Sequence, residues 1–281
     1  MDENSLLARI VRTTGDLPTM PQVANLVIEK LSDPSASPRE INQLLSKDQA
    51  LAARVLRIAN SPFFGHARRV TRLTDAIVLM GFNSVRSLVL TSVFNDLFKS
   101  YGLTEKLLWE HSLVCGSISQ KLARTLHFPR SEEAFLVGLL HDIGKVILNL
   151  RYPEKMSSIV QEVYNSQEHT FAELEQEVFG FSHAEVGRAV AGKWNFAREI
   201  EEAIGNHHFP ERSTITPLLS HIVHLANACC HKLEIGPLRK PDLDLTAVSS
   251  TTALNLDREA VNRLIEEVAE ILESQPEITR F

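Results

Sequence analysis

The chain is poor in cysteine: three in 281 residues, Cys115, Cys229 and Cys230, two of them adjacent. That leaves no paired disulfide framework, and without a Cys-x-x-Cys spacing no thiolate zinc site is expected. A reducing cytosol is the simplest home for such a chain. No run of about 18 apolar residues occurs, so no membrane-spanning helix is expected. The first residues, "MDENSLLARIVRTTG", lack the basic start and apolar core of a secretory signal. Positive charge is not in excess either. Lys and Arg number 29 against 35 Asp and Glu, a net charge of −6. This argues against non-specific nucleic-acid binding through a broad basic surface, though not against a local basic patch. Strand-like alternation, fixed-period repeats and low-complexity tails are also missing.

What is present is helical periodicity. "PQVANLVIEKL" sets Val23, Leu26, Val27 and Leu31 on one stripe with Lys30 at its edge. Ser37, Pro38 and Glu40 read as a capped helix start with a capping box, and the same spacing recurs at Thr170 with Glu173 and at Ser182 with Glu185. Ser131, followed by two acids, reads as a further cap. Residues 233–257 read as loop with at most short helices, and an amphipathic helix is expected over roughly 257–273, with Val261, Leu264, Ile265, Val268 and Leu272 on one face. The expected fold is all-α, in two helical lobes of about residues 1–100 and 101–281.

Within this apolar pattern, "GLLHDIGKVIL" (138–148) places His141 beside Asp142 in a run that otherwise suits a core helix. Further imidazoles follow the same half of the chain: His111, His183, His207, His208, and a stripe of His221, His224 and Asn227. Imidazole and carboxylate without thiolate suit zinc, iron, manganese or nickel, and a carboxylate can bridge two ions. A hydrogen-bonded polar stripe between helices explains His221, His224 and Asn227 equally well. His66, His127, His169 and His231 are read as ordinary core or surface groups. Lys145, one turn after His141, is placed to pair with Asp142 or to meet an anionic ligand. Spacing alone carries no local metal-site signature.

Three blocks carry a resemblance. "LPTMPQVANLVIEKLSDPSAS", "SKDQALAARVLRIANSPFFG" and "TDAIVLMGFNSVRSLVL" together resemble the HDOD family (the HD-related output domain) over about residues 16–92, and the HD-like part extends the likeness to about 210. Read without the family, Asn60, Ser61 and Pro62 stop a helix, Phe63 and Phe64 anchor a loop, and Arg68, Arg69 and Arg72 form a solvated basic face. The resemblance implies an HD-superfamily-like second lobe. It aligns His111 with the first histidine of the HD pattern, His141 and Asp142 with the pair itself, and Lys145 with the lysine that often follows. Similarity to the two-metal HD-GYP branch implies His183, His207 and His208 as ligands of a second ion, with Asp142 bridging. Asn227 stands where the hydrolases have a final Asp, and the glycine-tyrosine-proline element is replaced by "FPERST" after His208.

The resemblance therefore implies a bacterial, cytoplasmic signalling or regulatory module that keeps a metal site of His111, His141, Asp142, His183, His207, His208 and Asn227. It would act through a protein partner or a small-molecule or nucleotide ligand. The alternative it implies is a metal-dependent phosphohydrolase, with Asp142 and Lys145 in the catalytic roles.

Overall fold

A computed structural model describes residues 22–31, 33, 35–60, 70–98, 103–194 and 196–274. Among these residues every regular element is helical, as the periodicity requires. The chain forms two compact units, centred on residues 18–100 and 101–270.

In the first unit, α1 (Gln22–Leu31), α2 (Pro38–Leu45) and α3 (Gln49–Ala59) all pack on α4 (Leu73–Phe98). The capping box at α2 forms as read: Glu40 N–H donates to Ser37 Oγ, and Ser37 N–H donates to Glu40 Oε2 at 2.8 Å. Two orphan donors of the first turn are thereby satisfied. The buried face of α1 is Val27 and Leu31, whereas Leu26 from the same stripe is 40% exposed. α4 breaks at Gly81, which has φ 77°. Asn60 does more than stop α3. Its side-chain N–H groups reach the carbonyls of Leu56 and Val70 at 2.7 and 2.8 Å, and its Oδ1 accepts from Val70 N–H at 2.7 Å. One amide thus clips the two ends of the connection together. Ser61, Pro62, Phe63, Phe64, His66, Arg68 and Arg69 lie outside the described residues. Arg72 is a solvated side chain, with Asp75 4.0 Å away.

The second unit holds α5 (Leu103–Thr125), α6 (Ser131–Leu140), α7 (Ile143–Arg151), α8 (Pro153–Ser166), α9 (Phe171–Phe179), α10 (His183–Lys193), α11 (Arg198–Gly205), α12 (Pro217–Lys232), α13 (Ser249–Ala253) and, as far as Glu270, α14 (Arg258–Ser274). α5 and α6 pack most extensively, and α12 lies against α5, α6, α11 and α13. Ser131 is not the cap of α6. Arg130 takes that position and Ser131 is the first helical residue, so its hydroxyl cannot reach forward to the N3 amide; Glu132 and Glu133 remain in the first turn. The stretch 233–257 holds one 3₁₀ turn, Leu245–Ala247, and the short α13. α14 buries Val261, Leu264 and Val268.

α7 is buried from Ile143 to Leu148 and packs against α10 and α8. The approach to α10 is close because residue 144 is glycine: a Cβ there would stand 2.0 Å from the carbonyl oxygen of His183. Since the obstacle is backbone, no side-chain rotation can relieve it. Gly144→Ala is expected to destabilise the fold by about 3 kcal/mol, read as a lower denaturation midpoint at unchanged slope. An unaltered midpoint would contradict this packing.

Candidate metal centre

His141 and Asp142 do not lie within one helix as their apolar surroundings implied. α6 ends at Leu140 and α7 begins at Ile143, so the pair forms the turn between them. On a continuous helix adjacent side chains diverge by about 100°; the break frees both to face one centre. His111 comes to that centre from α5, His183 from the first position of α10, and His207 and His208 from the turn after α11. Glu202 fixes the loop beyond them, its carboxylate accepting the backbone N–H groups of Thr214, Ile215 and Thr216 at 2.8–3.2 Å.

The ligand-type atoms of His111, His141 and Asp142 all lie within 4.8 Å of one another, as do those of His183, His207 and His208. In the first group, His111 Nε2 is 3.3 Å from His141 Nε2, and Asp142 Oδ2 is 3.6 and 3.4 Å from these two atoms. In the second, His183 Nε2 is 3.3 Å from His207 Nε2 and 3.0 Å from His208 Nε2. Asp142 joins the groups. Its Oδ1 stands 3.2 Å from His183 Nε2 and 3.9 Å from His207 Nε2, and its Oδ2 accepts from Lys145 Nζ at 2.7 Å.

The far side of each ring explains why the Nε2 atoms converge. His111 Nδ1 meets the Ile235 carbonyl at 2.9 Å, His141 Nδ1 that of Gly138 at 2.7 Å, and His207 Nδ1 that of Ile204 at 2.7 Å. His183 Nδ1 lies 2.5 Å from Glu175 Oε2, which also accepts the His183 backbone N–H at 2.6 Å. A carbonyl can only accept, so Nδ1 carries the proton in the carbonyl-bonded rings. In a neutral ring, Nε2 then presents a lone pair. Two lone pairs facing each other at 3.3 Å cannot form a hydrogen bond; the arrangement calls for a shared proton or a cation.

The donor set fits a metal ion on three counts. Four donors about 2.05 Å from a tetrahedral ion stand about 3.3 Å apart, close to the observed 3.3–3.6 Å in the first group. Histidines whose second nitrogen is tied to a carbonyl or carboxylate are the usual metal-ligating kind. Lastly, buried Asp142 Oδ1 accepts no hydrogen bond among the described residues, an unmet acceptor that burial makes costly. Asn227 lies beside them: it is 5% exposed, its Oδ1 is likewise unmet, and it lines the same cavity as His111 and Asp142.

Electrostatics follow the same layout. Burial opposes the charge of Asp142, but His141 and Lys145 overcome it and hold the carboxyl well below its ordinary range. Burial also opposes protonation of His141, yet Asp142 and Cys115 raise it to about 9. His183 is raised against burial by Glu175. His111, His207, His208 and His231 are lowered, chiefly by burial.

Two neighbours of the cluster escape a reading of the sequence. Glu175 is fully buried on α9 between Phe171 and Phe179, and the signal was an acid on an apolar i, i+4 face. His231 stacks on His111, with ring centroids 5.7 Å apart and planes 14° apart, and lines the cavity. It follows Asn227 by four residues on α12, so the polar stripe extends one turn further than read. His221 and His224 instead share the Ser250 hydroxyl, at 2.9 and 2.7 Å, which is the hydrogen-bonded stripe. His127 and His169 are exposed.

With this geometry in place, the comparisons define the class: the chain is an all-helical protein built on the HDOD architecture. The HDOD domain family model matches residues 17–210, and the chain belongs to that family. An HDOD domain protein of unknown function from Geobacter sulfurreducens is 30% identical, with 97% of this chain and 95% of that one covered and a TM-score of 0.74. A protein from Shewanella amazonensis, named provisionally as a phosphohydrolase, is 23% identical over 99% of this chain and 98% of its own, with a TM-score of 0.73. One from Marinobacter aquaeolei, named provisionally as a signal transduction protein, is 19% identical over 98% and 65%, with a TM-score of 0.74. The chain spans 40% and 32% of the lengths of two curated relatives it matches. No described helix is long and apolar enough to cross a membrane.

The histidine shifts set a pH dependence for the metal-free protein. Rings lowered from 6.5 (His111, His207, His208, His221, His224 and His231) contribute stability above pH 6.5 and lose it as pH falls through their folded values. His141, raised to about 9, contributes below pH 6.5 and loses this as pH rises towards 9. His183 is raised in the same direction. The lowered rings outnumber the raised, so the thermal midpoint of chelator-treated protein should fall steeply between pH 6.5 and about 5, and gently between 7 and 9. A midpoint flat down to about pH 5 would exclude neutral buried rings.

Proposed function

We propose that this HDOD protein is a bacterial, cytoplasmic regulatory module whose buried His and Asp cluster holds one or two metal ions, and which acts by binding a ligand or partner. The observation that carries this reading is the convergence of four Nε2 atoms on the two oxygens of Asp142, each of those rings anchored from behind, with His208 Nε2 joining at His183. His111, His141 and Asp142 would hold one ion and His183, His207 and His208 a second, with Asp142 between them and Asn227 as a further oxygen donor. Zinc, iron, manganese and nickel all suit such donors. Three free, buried cysteines support a reducing compartment. The name of the Marinobacter neighbour points to signalling as well.

A neutral amide at position 227 favours binding over turnover. It supplies less negative charge than a carboxylate and so holds a divalent ion less firmly. The second reading, a metal-dependent phosphohydrolase, draws on the cavity of about 300 Å³ beside the centre, lined by Asp142 and Lys145. There a bound ion would supply Lewis-acid polarisation of a phosphoryl oxygen. Lys145, held by Asp142 at 2.7 Å and lying over the Phe171 ring at 4.3 Å, would orient and neutralise a phosphate. The name of the Shewanella neighbour is in keeping with this alternative.

Metal content per chain, measured on protein purified without chelator beside His141→Ala and Asp142→Asn, tests the proposal. Stoichiometric metal in the wild type, lost from both variants while far-ultraviolet dichroism is retained, is the expected result. A wild type free of metal even after reconstitution would refute the metal centre. Generic phosphomonoester and phosphodiester substrates with manganese, iron or nickel supplied should give no turnover; sustained turnover abolished by Lys145→Ala would establish the hydrolase instead.

A further inference from the structure

We infer that the cavity beside the metal centre binds a small organic phosphate carrying a second anionic group, and that Lys240 with His231 forms the subsite for that second group. The inference rests on the proposed metal centre for the placement of the first phosphate alone.

The lining is asymmetric in charge although the whole chain carries a net charge of −6. It includes Lys145, Lys240, His208, His224 and His231, and its one carboxylate is Asp142. That carboxylate is already committed to Lys145 and to the converging histidines. Lys145 is in turn committed to Asp142. Lys240 is different: its ammonium makes no hydrogen bond or ion pair with a described residue, the nearby Glu173 carboxylate being held by the Thr170 amide and hydroxyl, and its side chain is partly buried against the cavity. A cation in a cavity wall without a hydrogen-bonded counter-ion favours an anion over water.

The backbone delivering Lys240 is fixed. Its own N–H donates to the His231 carbonyl at 2.9 Å. The preceding Arg239 N–H donates to Gln167 Oε1 at 2.7 Å, and Gln167 Nε2 donates back to the Pro237 carbonyl at 3.2 Å. Lys232 Nζ holds the carbonyls of Pro241 and Leu243 at 3.1 and 2.9 Å. The segment is therefore pinned on three sides, and its lysine is preorganised rather than recruited from a loose loop. His231 stands at the same place. Its ring stacks on His111, and neither ring nitrogen bonds a described residue. An imidazole carries at least one N–H in either protonation state, free to donate beside the ammonium. Phe171, Leu238 and Val248 supply apolar wall, and a volume of about 300 Å³ is at the lower bound of sites for small organic ligands. A bare phosphate would leave those walls and Lys240 without a partner.

Calorimetric titration with two probes tests this: phenyl phosphate, and 4-carboxyphenyl phosphate, which adds one carboxylate on the same ring. Wild type, Lys240→Ala and Lys240→Arg are each measured metal-loaded and metal-stripped, with metal content determined alongside. The wild type is expected to bind the carboxylated probe about tenfold more tightly than phenyl phosphate, the worth of one charge-assisted hydrogen bond. Lys240→Ala should abolish that preference while leaving phenyl phosphate affinity and metal content unchanged, and Lys240→Arg should restore it. Equal affinity for both probes in the wild type, a preference that survives Lys240→Ala, or no binding of either probe would overturn the inference. Loss of the metal reading has a separate signature: no metal on any protein, with the Lys240-dependent preference intact.

Discussion

A carboxylate that is 3% exposed has to be compensated by its surroundings, and the second unit is arranged around that requirement at Asp142. Removing such a charge from water costs several kcal/mol even after relaxation, and Lys145 at 2.7 Å answers for one oxygen only. The other oxygen faces imidazole nitrogens that arrive from α10 and from the turn after α11. Those rings cannot satisfy it as neutral donors while their Nδ1 protons are spent on the Ile204 carbonyl and on Glu175. The carboxylate and the rings are each incomplete without a positive charge between them. In the absence of metal, protonated rings supply it: His141, raised to about 9 against burial by Asp142, stands 3.4 Å from Oδ2, and His183, raised against burial by Glu175, faces Oδ1. A metal ion would displace such protons, so its affinity would rise with pH.

The helices serve the same requirement. Breaking one apolar run into α6 and α7 costs backbone hydrogen bonds at the junction, and in return places two adjacent polar residues on one centre. Glycine at 144 lets α10 close to within backbone contact of α7, so that His183, the first residue of α10, reaches the same point. Gly236, at φ 104°, performs the equivalent service for His111. A Cβ there would come within 3.0 Å of His111 Nδ1, and the neighbouring Ile235 carbonyl could not then accept from that nitrogen unhindered. Rings are thus aimed by backbone carbonyls, and the carbonyls are positioned by the absence of side chains.

This division explains what could be read in advance. The helical fold, the capping boxes at Ser37 and Thr170 and the final amphipathic helix are local, encoded in residues three or four apart. His111, His141, Asp142, His183, His207 and His208 were legible because a family pattern supplied the long-range correspondence that spacing could not. The break at His141 was not legible, since nothing in "GLLHDIGKVIL" opposes a continuous helix. Glu175 was passed over because its role depends on a histidine eight residues away, across a turn whose geometry no local rule fixes. His231 was misjudged for the converse reason: a lone histidine near a helix end is ordinarily a surface group, and here the return of residues 235–243 encloses it.

The charge balance ties the two proposals together. With neutral rings, Asp142 and Glu175 against Lys145 leave the centre with a net charge of one negative unit. One divalent ion would reverse that sign by an equal amount, which a buried site tolerates. A second would leave three positive units, and Asn227, where a carboxylate would have absorbed one, absorbs none. Were both ions bound, an anion from outside would balance them, and the adjoining cavity is where one could enter. By linkage, whatever factor an anion adds to the affinity for the second ion, that ion adds to the affinity for the anion. On the proposed reading, the amide at 227 would make metal occupancy conditional on the ligand, which suits a sensing module better than a hydrolase.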